Sequence, residues 1–230
     1  MAQYFDPVNS GYVDFGDLTI FDGLTALSWS VWIKIESKRS TWENCWVKTD
    51  ELAFLFRGGS DEYFCGDNFD TGANWTSYGF LSNAVWYHLA GRWTAGGPVR
   101  TYRDGVLIAT SGNRAGPIPN SAGIMIFGRA EWGGDNCNSS IAFPAVWAGD
   151  FGAEAPRILG SIHPRLLNGP PLIFAPDFSR ASAIFDPISR TVGVRAGGAV
   201  TVPDPEIVTR PLPFRSIAAK RPTIAGSAGT

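Results

Sequence analysis

Acidic, amide and aromatic side chains crowd two short segments of the chain, residues 67–74 and 131–138. Ca²⁺ takes about six to eight oxygen ligands, and an indole offers a flat apolar face on which a sugar ring can rest. Asp, Asn and Gly are also ordinary turn residues, so we interpret both segments as turns first and as a glycan or calcium loop second. The candidate residues of that loop are Asp67, Asp70, Asn74, Trp75, Trp132 and Asp135.

The acidic residues are not spaced for hydrolysis. Retaining glycoside hydrolysis needs two carboxylates about 5 Å apart. Here the acids stand singly or in adjacent pairs such as Asp61-Glu62, whose members point to opposite faces of a strand. Trp42, Trp75 and Trp132 could line a sugar cleft, but the carboxylate pair is missing. No nucleophile, zinc or phosphate-binding motif occurs either, so we predict no catalytic residues, no enzyme activity and no cofactor.

The elements that must position these residues are strands. Residues 85–94, 99–103 and 106–110 form three β-prone runs, and the last two are joined by Asp104-Gly105. Both central residues of a tight type I′ turn need positive φ, which Asp and Gly tolerate. The sequence therefore predicts consecutive antiparallel hairpins with one buried face, without helix.

These hairpins resemble the central part of concanavalin A-like lectin/glucanase domains of the laminin G type, and residues 12–16, 27–35 and 124–129 resemble three further strands of that family. The resemblance covers residues 10–160. It implies an all-β antiparallel β-sandwich (jelly roll) with a short helix near residues 152–162. Many relatives support a metal site with an acid in the strand that corresponds to residues 140–147; this chain has none there, and no metal is predicted. The expected core residues are Trp29 or Trp32, Trp86 or Tyr87, Tyr102 and Phe127.

Charge and proline divide the chain into two predicted parts. Residues 1–164, the sandwich, carry a net charge of −6, whereas residues 165–230 carry +4 and contain 9 of the 16 prolines. Proline removes a backbone donor and keeps the chain extended, so we predict an extended C-terminal assembly arm. Apolar and basic residues would bind it to other subunits: Leu172, Ile173, Phe174, Phe185, Arg210, Phe214 and Arg215.

The cysteines and the N-terminal residues indicate the cellular compartment in which the protein is expected. The first residues contain no basic segment followed by an apolar one, so no secretory signal is recognised, and no apolar run approaches the roughly 20 residues of a membrane span. We therefore expect Cys45, Cys65 and Cys137 to be three free thiols in a reducing compartment.

A laminin G-like sandwich with a long Pro-rich arm resembles proteins of tailed-bacteriophage particles. This resemblance implies a non-enzymatic virion structural protein, made in the host cytoplasm, that decorates or cements the head. Its partners would be the major capsid protein or another virion protein and further copies of itself, with neither nucleic acid nor membrane. The alternatives are a carbohydrate-binding tail or fibre lectin that recognises a host glycan, and a bacterial adhesion module.

Overall fold

The structure is a computed structural model. It describes residues 2–202 apart from 9–10, 39–41, 50–51, 58–61, 68–74, 115, 130–135, 153–163, 165–166, 168, 179–183 and 197–198. The described residues form sixteen strands and one short 3-10 helix, Thr19–Phe21. The strands are β1 (Ala2–Phe5), β2 (Tyr12–Asp17), β3 (Ala26–Ile35), β4 (Glu43–Lys48), β5 (Leu52–Arg57), β6 (Glu62–Asp67), β7 (Thr76–Phe80), β8 (Trp86–Thr94), β9 (Pro98–Arg103), β10 (Val106–Asn113), β11 (Ile124–Phe127), β12 (Ser139–Trp147), β13 (Leu172–Phe174), β14 (Ile184–Asp186), β15 (Thr191–Ala196) and β16 (Val200–Val202).

These strands form two antiparallel sheets, and the all-β sandwich prediction is confirmed. Sheet A has the order β10-β9-β8-β3-β12-β1-β16, with β13 also paired to β12. Sheet B has the order β14-β15-β2-β11-β4-β5-β6-β7. The two sheets also contact each other where β7 of sheet B lies against β9 of sheet A. There the Thr101 hydroxyl donates to the Ser77 carbonyl at 2.6 Å. Apart from Gly152, the helix predicted near residues 152–162 lies outside the described residues.

The predicted hairpins are present with nearly the expected bounds. Asp104 and Gly105 have φ values of 51° and 79°, the left-handed conformation that a tight turn of this kind requires. The Asp104 amide donates to the His88 carbonyl, and the Asp104 carboxylate accepts from the His88 amide. These two hydrogen bonds hold the turn against β8. The Asp-Gly pair therefore determines the register of β9 and β10.

Aromatic side chains fill the space between the sheets. The Trp46 ring stacks between Phe54 and Phe127, with centroid distances of 4.4 and 5.3 Å. Of the predicted core residues, Trp29 and Phe127 are buried there and Tyr87 packs against them half-buried. Tyr102 is also buried, but in a second cluster with Ala90, Ala145 and Trp147.

The C-terminal segment is a part of this sandwich, which corrects the interpretation of Leu172, Ile173 and Phe174 as contacts for other subunits. β13 pairs with β12, β15 with β2, and β16 with β1. Ile173 and Phe174 lie in the core, and Leu172 packs on the second apolar cluster. Because their apolar surface is already covered by the protein's own sheets, they offer little to a partner. The sheets therefore extend beyond residue 164.

Two cysteines form a disulfide, so the expectation of three free thiols is wrong. Cys45 on β4 is bonded to Cys137, 92 residues further along the chain. Backbone pairing brings them together: Gly128 donates to the Cys45 carbonyl, and Cys137 donates to the Gly128 carbonyl. Cys65 is the free cysteine, buried in the core. Disulfides persist mainly in oxidising environments, which disagrees with the reducing compartment expected from the sequence.

Within the described part of the chain, no helix has the length and apolar character needed to cross a membrane.

Candidate functional site

An aromatic cluster on the outer face of sheet B is the candidate site. Phe54, Tyr63 and Cys65 point into the core from β5 and β6. Phe64 stands between Tyr63 and Cys65 in β6, so its side chain lies on the opposite, outer face. Phe56 is paired with Phe64 across the two strands and shares that face, although it lies two residues after Phe54, because the register of β5 shifts between Ala53 and Phe56. The sequence thus lays two phenylalanines on the outside of the sandwich.

Two tryptophans cover this pair of rings. Trp42 stacks on Phe56, with ring planes 8° apart and centroids separated by 6.0 Å. Trp75 stands at 74° to both of them, with centroids 5.3 Å from Trp42 and 4.9 Å from Phe56. Phe56 is 4% exposed, but Trp42 and Trp75 remain 42% and 40% exposed. We call the four residues Trp42, Phe56, Phe64 and Trp75 the aromatic platform; its accessible surface is a corner between two perpendicular indoles.

Polar side chains border the platform on the same face of the sheet. Asn44 is paired with Phe56 across β4 and β5. Ser77 is paired with Phe64 across β6 and β7, and its hydroxyl donates to Glu62 Oε2 at 2.9 Å. Glu62 precedes Phe64 by two residues and so shares its face. Hydrogen-bonding groups thus lie on two sides of an apolar surface, as they do in sites that bind small polar ligands.

A buried polar layer lies behind the platform. Glu43, Arg57 and Tyr63 are neighbours of platform residues in sequence and point to the inner face. The Tyr63 hydroxyl donates to Glu43 Oε2 at 3.1 Å, and Arg57 Nη1 lies 3.8 Å from Glu43 Oε1. Charged groups withdrawn from water are stable only when they are paired, so these contacts hold β4, β5 and β6 in one register.

Two buried titratable groups are unsuited to acid–base or nucleophilic chemistry. Burial raises the pKa of the Cys65 thiol to about 12, which keeps it protonated at neutral pH. Burial lowers the pKa of His88, on β8 of the other sheet, to about 4. His88 lies against Trp32, with ring centroids 5.5 Å apart. Among the described residues, no group of three or more His, Cys, Asp or Glu could hold a metal ion.

The structure describes only part of the predicted glycan or calcium loop. Trp75 belongs to the aromatic platform. Asp67 is the last residue of β6, but its side chain lies outside the description, as do residues Asp70, Asn74, Trp132 and Asp135. The calcium interpretation therefore stays a prediction from sequence.

The remaining predicted assembly contacts are mostly not described. Phe185 lies on β14, and its side chain is outside the description. Arg210, Phe214 and Arg215 fall in residues 203–230, which the structure does not describe.

Sequence reasoning missed two members of the platform, Phe56 and Phe64. The signal that could have found them is the continuous apolar run of residues 52–56 and the adjacent pair Tyr63-Phe64, which give these strands large apolar residues on both faces. A strand at a solvated surface normally has a polar outer face. Large apolar residues on both faces therefore indicate that something covers the second face.

Comparison with known proteins identifies the family of this β-sandwich. The model of the concanavalin A-like lectin/glucanases superfamily matches residues 7–154, and the chain belongs to that superfamily. Comparison with curated proteins found no match.

Solved structures share the fold at low sequence identity. One, from Bacteroides ovatus ATCC 8483, is described as a candidate carbohydrate-binding protein; it is 15% identical with a TM-score of 0.66, over 89% of this chain and 60% of that one. The chain thus spans three-fifths of that protein. A heptameric SAP-like pentraxin from Limulus polyphemus is 14% identical with a TM-score of 0.54, and the match covers 84% of this chain and 94% of the pentraxin chain. Botulinum neurotoxin type C, whose cell entry depends on interaction with two ganglioside molecules, is 15% identical with a TM-score of 0.55. This match covers 68% of this chain and 41% of the neurotoxin chain.

Proposed function

We propose that this protein is a non-enzymatic carbohydrate-binding module that holds a sugar ring in the corner between Trp42 and Trp75. The observation that carries the proposal is that two indoles are left about 40% exposed on top of a buried aromatic layer. Exposed apolar surface of this kind, rimmed by polar groups, marks binding sites in soluble proteins.

The geometry favours a sugar over a purely apolar ligand. The C–H groups of one face of a sugar ring are apolar, whereas its edge is lined with hydroxyls. A ring stacked on Trp42 can turn its apolar face to the indole while its hydroxyls reach the polar border formed by Asn44, Ser77 and Glu62. The perpendicular Trp75 closes one side of this space, so the corner suits a single ring better than a flat crystalline surface.

The exposed indole area is large enough to support binding. An indole side chain presents about 200–250 Å², so covering the exposed fraction of both buries roughly 80–100 Å² on each. At about 25 cal/mol per Å² this gives roughly 2 kcal/mol per tryptophan before the costs of association are subtracted. Removing either indole should therefore weaken binding at least about tenfold.

The comparisons support carbohydrate binding better than the capsid-decoration prediction. The superfamily comprises lectins and glucanases, and two structural neighbours are described in terms of carbohydrate or ganglioside binding. Leu172, Ile173 and Phe174, on which the assembly arm depended, are covered by the protein's own sheets. The virion location and the capsid partner stay predictions from sequence.

A glycan array tests the proposal. Wild-type protein should bind at least one oligosaccharide, and Trp42→Ala and Trp75→Ala should each reduce that binding at least tenfold. Trp86→Ala is the matched control, because Trp86 is a half-buried tryptophan on β8, in the other sheet. Circular dichroism should show that all three variants stay folded.

Two outcomes contradict the proposal. One is the absence of binding to any glycan on the array. The other is glycan binding that persists in the Trp42→Ala/Trp75→Ala double variant. Release of reducing sugar from a bound oligosaccharide would contradict its non-enzymatic part.

A further inference from the structure

We propose that the aromatic platform selects neutral sugars over sugars that carry a carboxylate, and that Glu62 is the residue that sets this preference. The inference rests on the proposed carbohydrate-binding function and adds the chemical class of the ligand to it.

The position of Glu62 follows from the strand register. Phe64 is opposite Ser77, and residues opposite each other in an antiparallel pair have Cβ atoms about 5 Å apart. Glu62 lies two residues before Phe64 on the same face, a rise of roughly 7 Å along β6. The carboxylate of Glu62 is therefore at the border of the platform, within reach of the hydroxyls of a ring stacked on it.

The Ser77 hydroxyl keeps one oxygen of this carboxylate occupied and oriented. It donates to Glu62 Oε2 at 2.9 Å, and among the described residues Oε1 has no hydrogen-bond partner. Glu62 is half-buried, so its remaining oxygen is available at the surface. A carboxylate oxygen accepts hydrogen bonds and cannot donate them, which suits the O–H groups of a neutral sugar and repels a second carboxylate.

The sequence around Glu62 is acidic. Residues 58–74 contain Asp61, Glu62, Asp67 and Asp70 and no lysine or arginine. The positive charge described closest to the platform in sequence, Arg57, points to the inner face and lies against Glu43. Arg103 donates to the carbonyl of Phe80, which is opposite Glu62, but among the described residues no ion pair joins it to Glu62. A sugar carboxylate on the platform would therefore be repelled by Glu62.

Pairs of sugars that differ only in this charge provide the test. Glucose and glucuronate, and galactose and galacturonate, differ at C6, where a CH₂OH group is replaced by a carboxylate. Each is used to displace from the wild-type protein the best-bound neutral oligosaccharide of the glycan array. We expect the neutral member of a pair to compete between about three- and fiftyfold better, the range for charges roughly 7 Å apart at an effective dielectric constant between about 80 and 20. In 1 M NaCl, where the screening length is about 3 Å, the ratio should approach one.

Glu62→Gln should remove most of this preference, because it keeps the shape of the side chain and removes its charge. Glu36→Gln is the control, since Glu36 is a half-buried acid that contacts Lys34 and Ser140 rather than the platform. Ser77→Ala should keep the preference, because the charge of Glu62 remains.

The outcomes separate the two proposals. An unchanged ratio in Glu62→Gln, or a wild-type protein that prefers the uronates, overturns the role of Glu62. The platform stands in that case if Trp42→Ala weakens oligosaccharide binding at least tenfold. Oligosaccharide binding that is insensitive to Trp42 and Trp75 overturns the proposed function. If no oligosaccharide binds at all, both proposals are overturned.

Discussion

Replacing Phe174 with alanine tests whether the C-terminal segment belongs to the core. Phe174 lies on β13 and is fully buried. Its ring centroid is 5.2 Å from Phe15, 6.2 Å from Phe127 and 6.3 Å from Phe21. These partners come from the N-terminal third and the middle of the chain, so the ring joins elements that are distant in sequence.

The expected loss of stability is large. Truncating a buried phenylalanine to alanine costs about 3–5 kcal/mol, through lost transfer free energy and the cavity left behind. This is a considerable part of the roughly 5–15 kcal/mol by which a folded domain is stable. For a chain of this size it corresponds to a decrease in Tm on the order of 10 °C.

Guanidinium unfolding followed by tryptophan fluorescence measures this loss. Val194→Ala is the control, because Val194 also lies in the C-terminal segment, on β15, but is 65% exposed; its free energy of unfolding should change by less than about 0.5 kcal/mol. If Phe174→Ala unfolds at the same denaturant concentration as Val194→Ala, Phe174 is not a core residue. The interpretation of residues 165–230 as a separate arm would then regain its support.

Two further predictions concern the cysteines and a histidine. Breaking the Cys45–Cys137 disulfide, which closes a loop of 92 residues, should lower the free energy of unfolding by about 4–5 kcal/mol. A thiol reagent should find one reactive group in the denatured, unreduced protein. Three reactive groups would show that the disulfide is absent. The pKa of His88 is lowered to about 4, so the imidazole stays neutral in the folded protein, whereas in the unfolded chain it binds a proton below about pH 6.5. The free energy of unfolding should therefore fall by about 2–3 kcal/mol as the pH is lowered from about 6.5 to about 4. His88→Gln should flatten that part of the stability profile measured by urea unfolding, and an unchanged slope would exclude His88 as its cause.

Local pattern was sufficient to predict the strands. The hairpin around Asp104-Gly105 was found because a two-residue turn and the alternation beside it are properties of neighbouring residues. Four short β-prone runs follow residue 182 in the sequence; three of them form β14, β15 and β16, and the fourth, residues 206–209, lies outside the described residues. Their assignment to an independent arm was wrong because β15 and β16 pair with β2 and β1, which lie almost 200 residues away. The local pattern of a sequence does not show which distant strands pair with each other.

The same limit applies to the disulfide and the site. Cys45 and Cys137 become neighbours only because β4 pairs with β11 and the chain then returns beside β4. Trp42 and Trp75 are 33 residues apart and meet over Phe56, where bulges in β4 and β5 shift the register. The exposed-tryptophan composition of a candidate sugar site was recognisable from sequence, but the surface on which these residues assemble was not.

The indole N–H signals in a ¹⁵N–¹H NMR spectrum test the central claim most directly. The chain has nine tryptophans, each with one such signal, and single Trp→Phe variants assign them. On titration with the glycan that binds best on the array, the signals of Trp42 and Trp75 should shift in a saturable manner, while those of Trp32 and Trp86 stay in place. Saturable shifts at Trp32 and Trp86 with Trp42 and Trp75 unaffected would place the sugar on the other sheet and contradict the aromatic platform as the binding site.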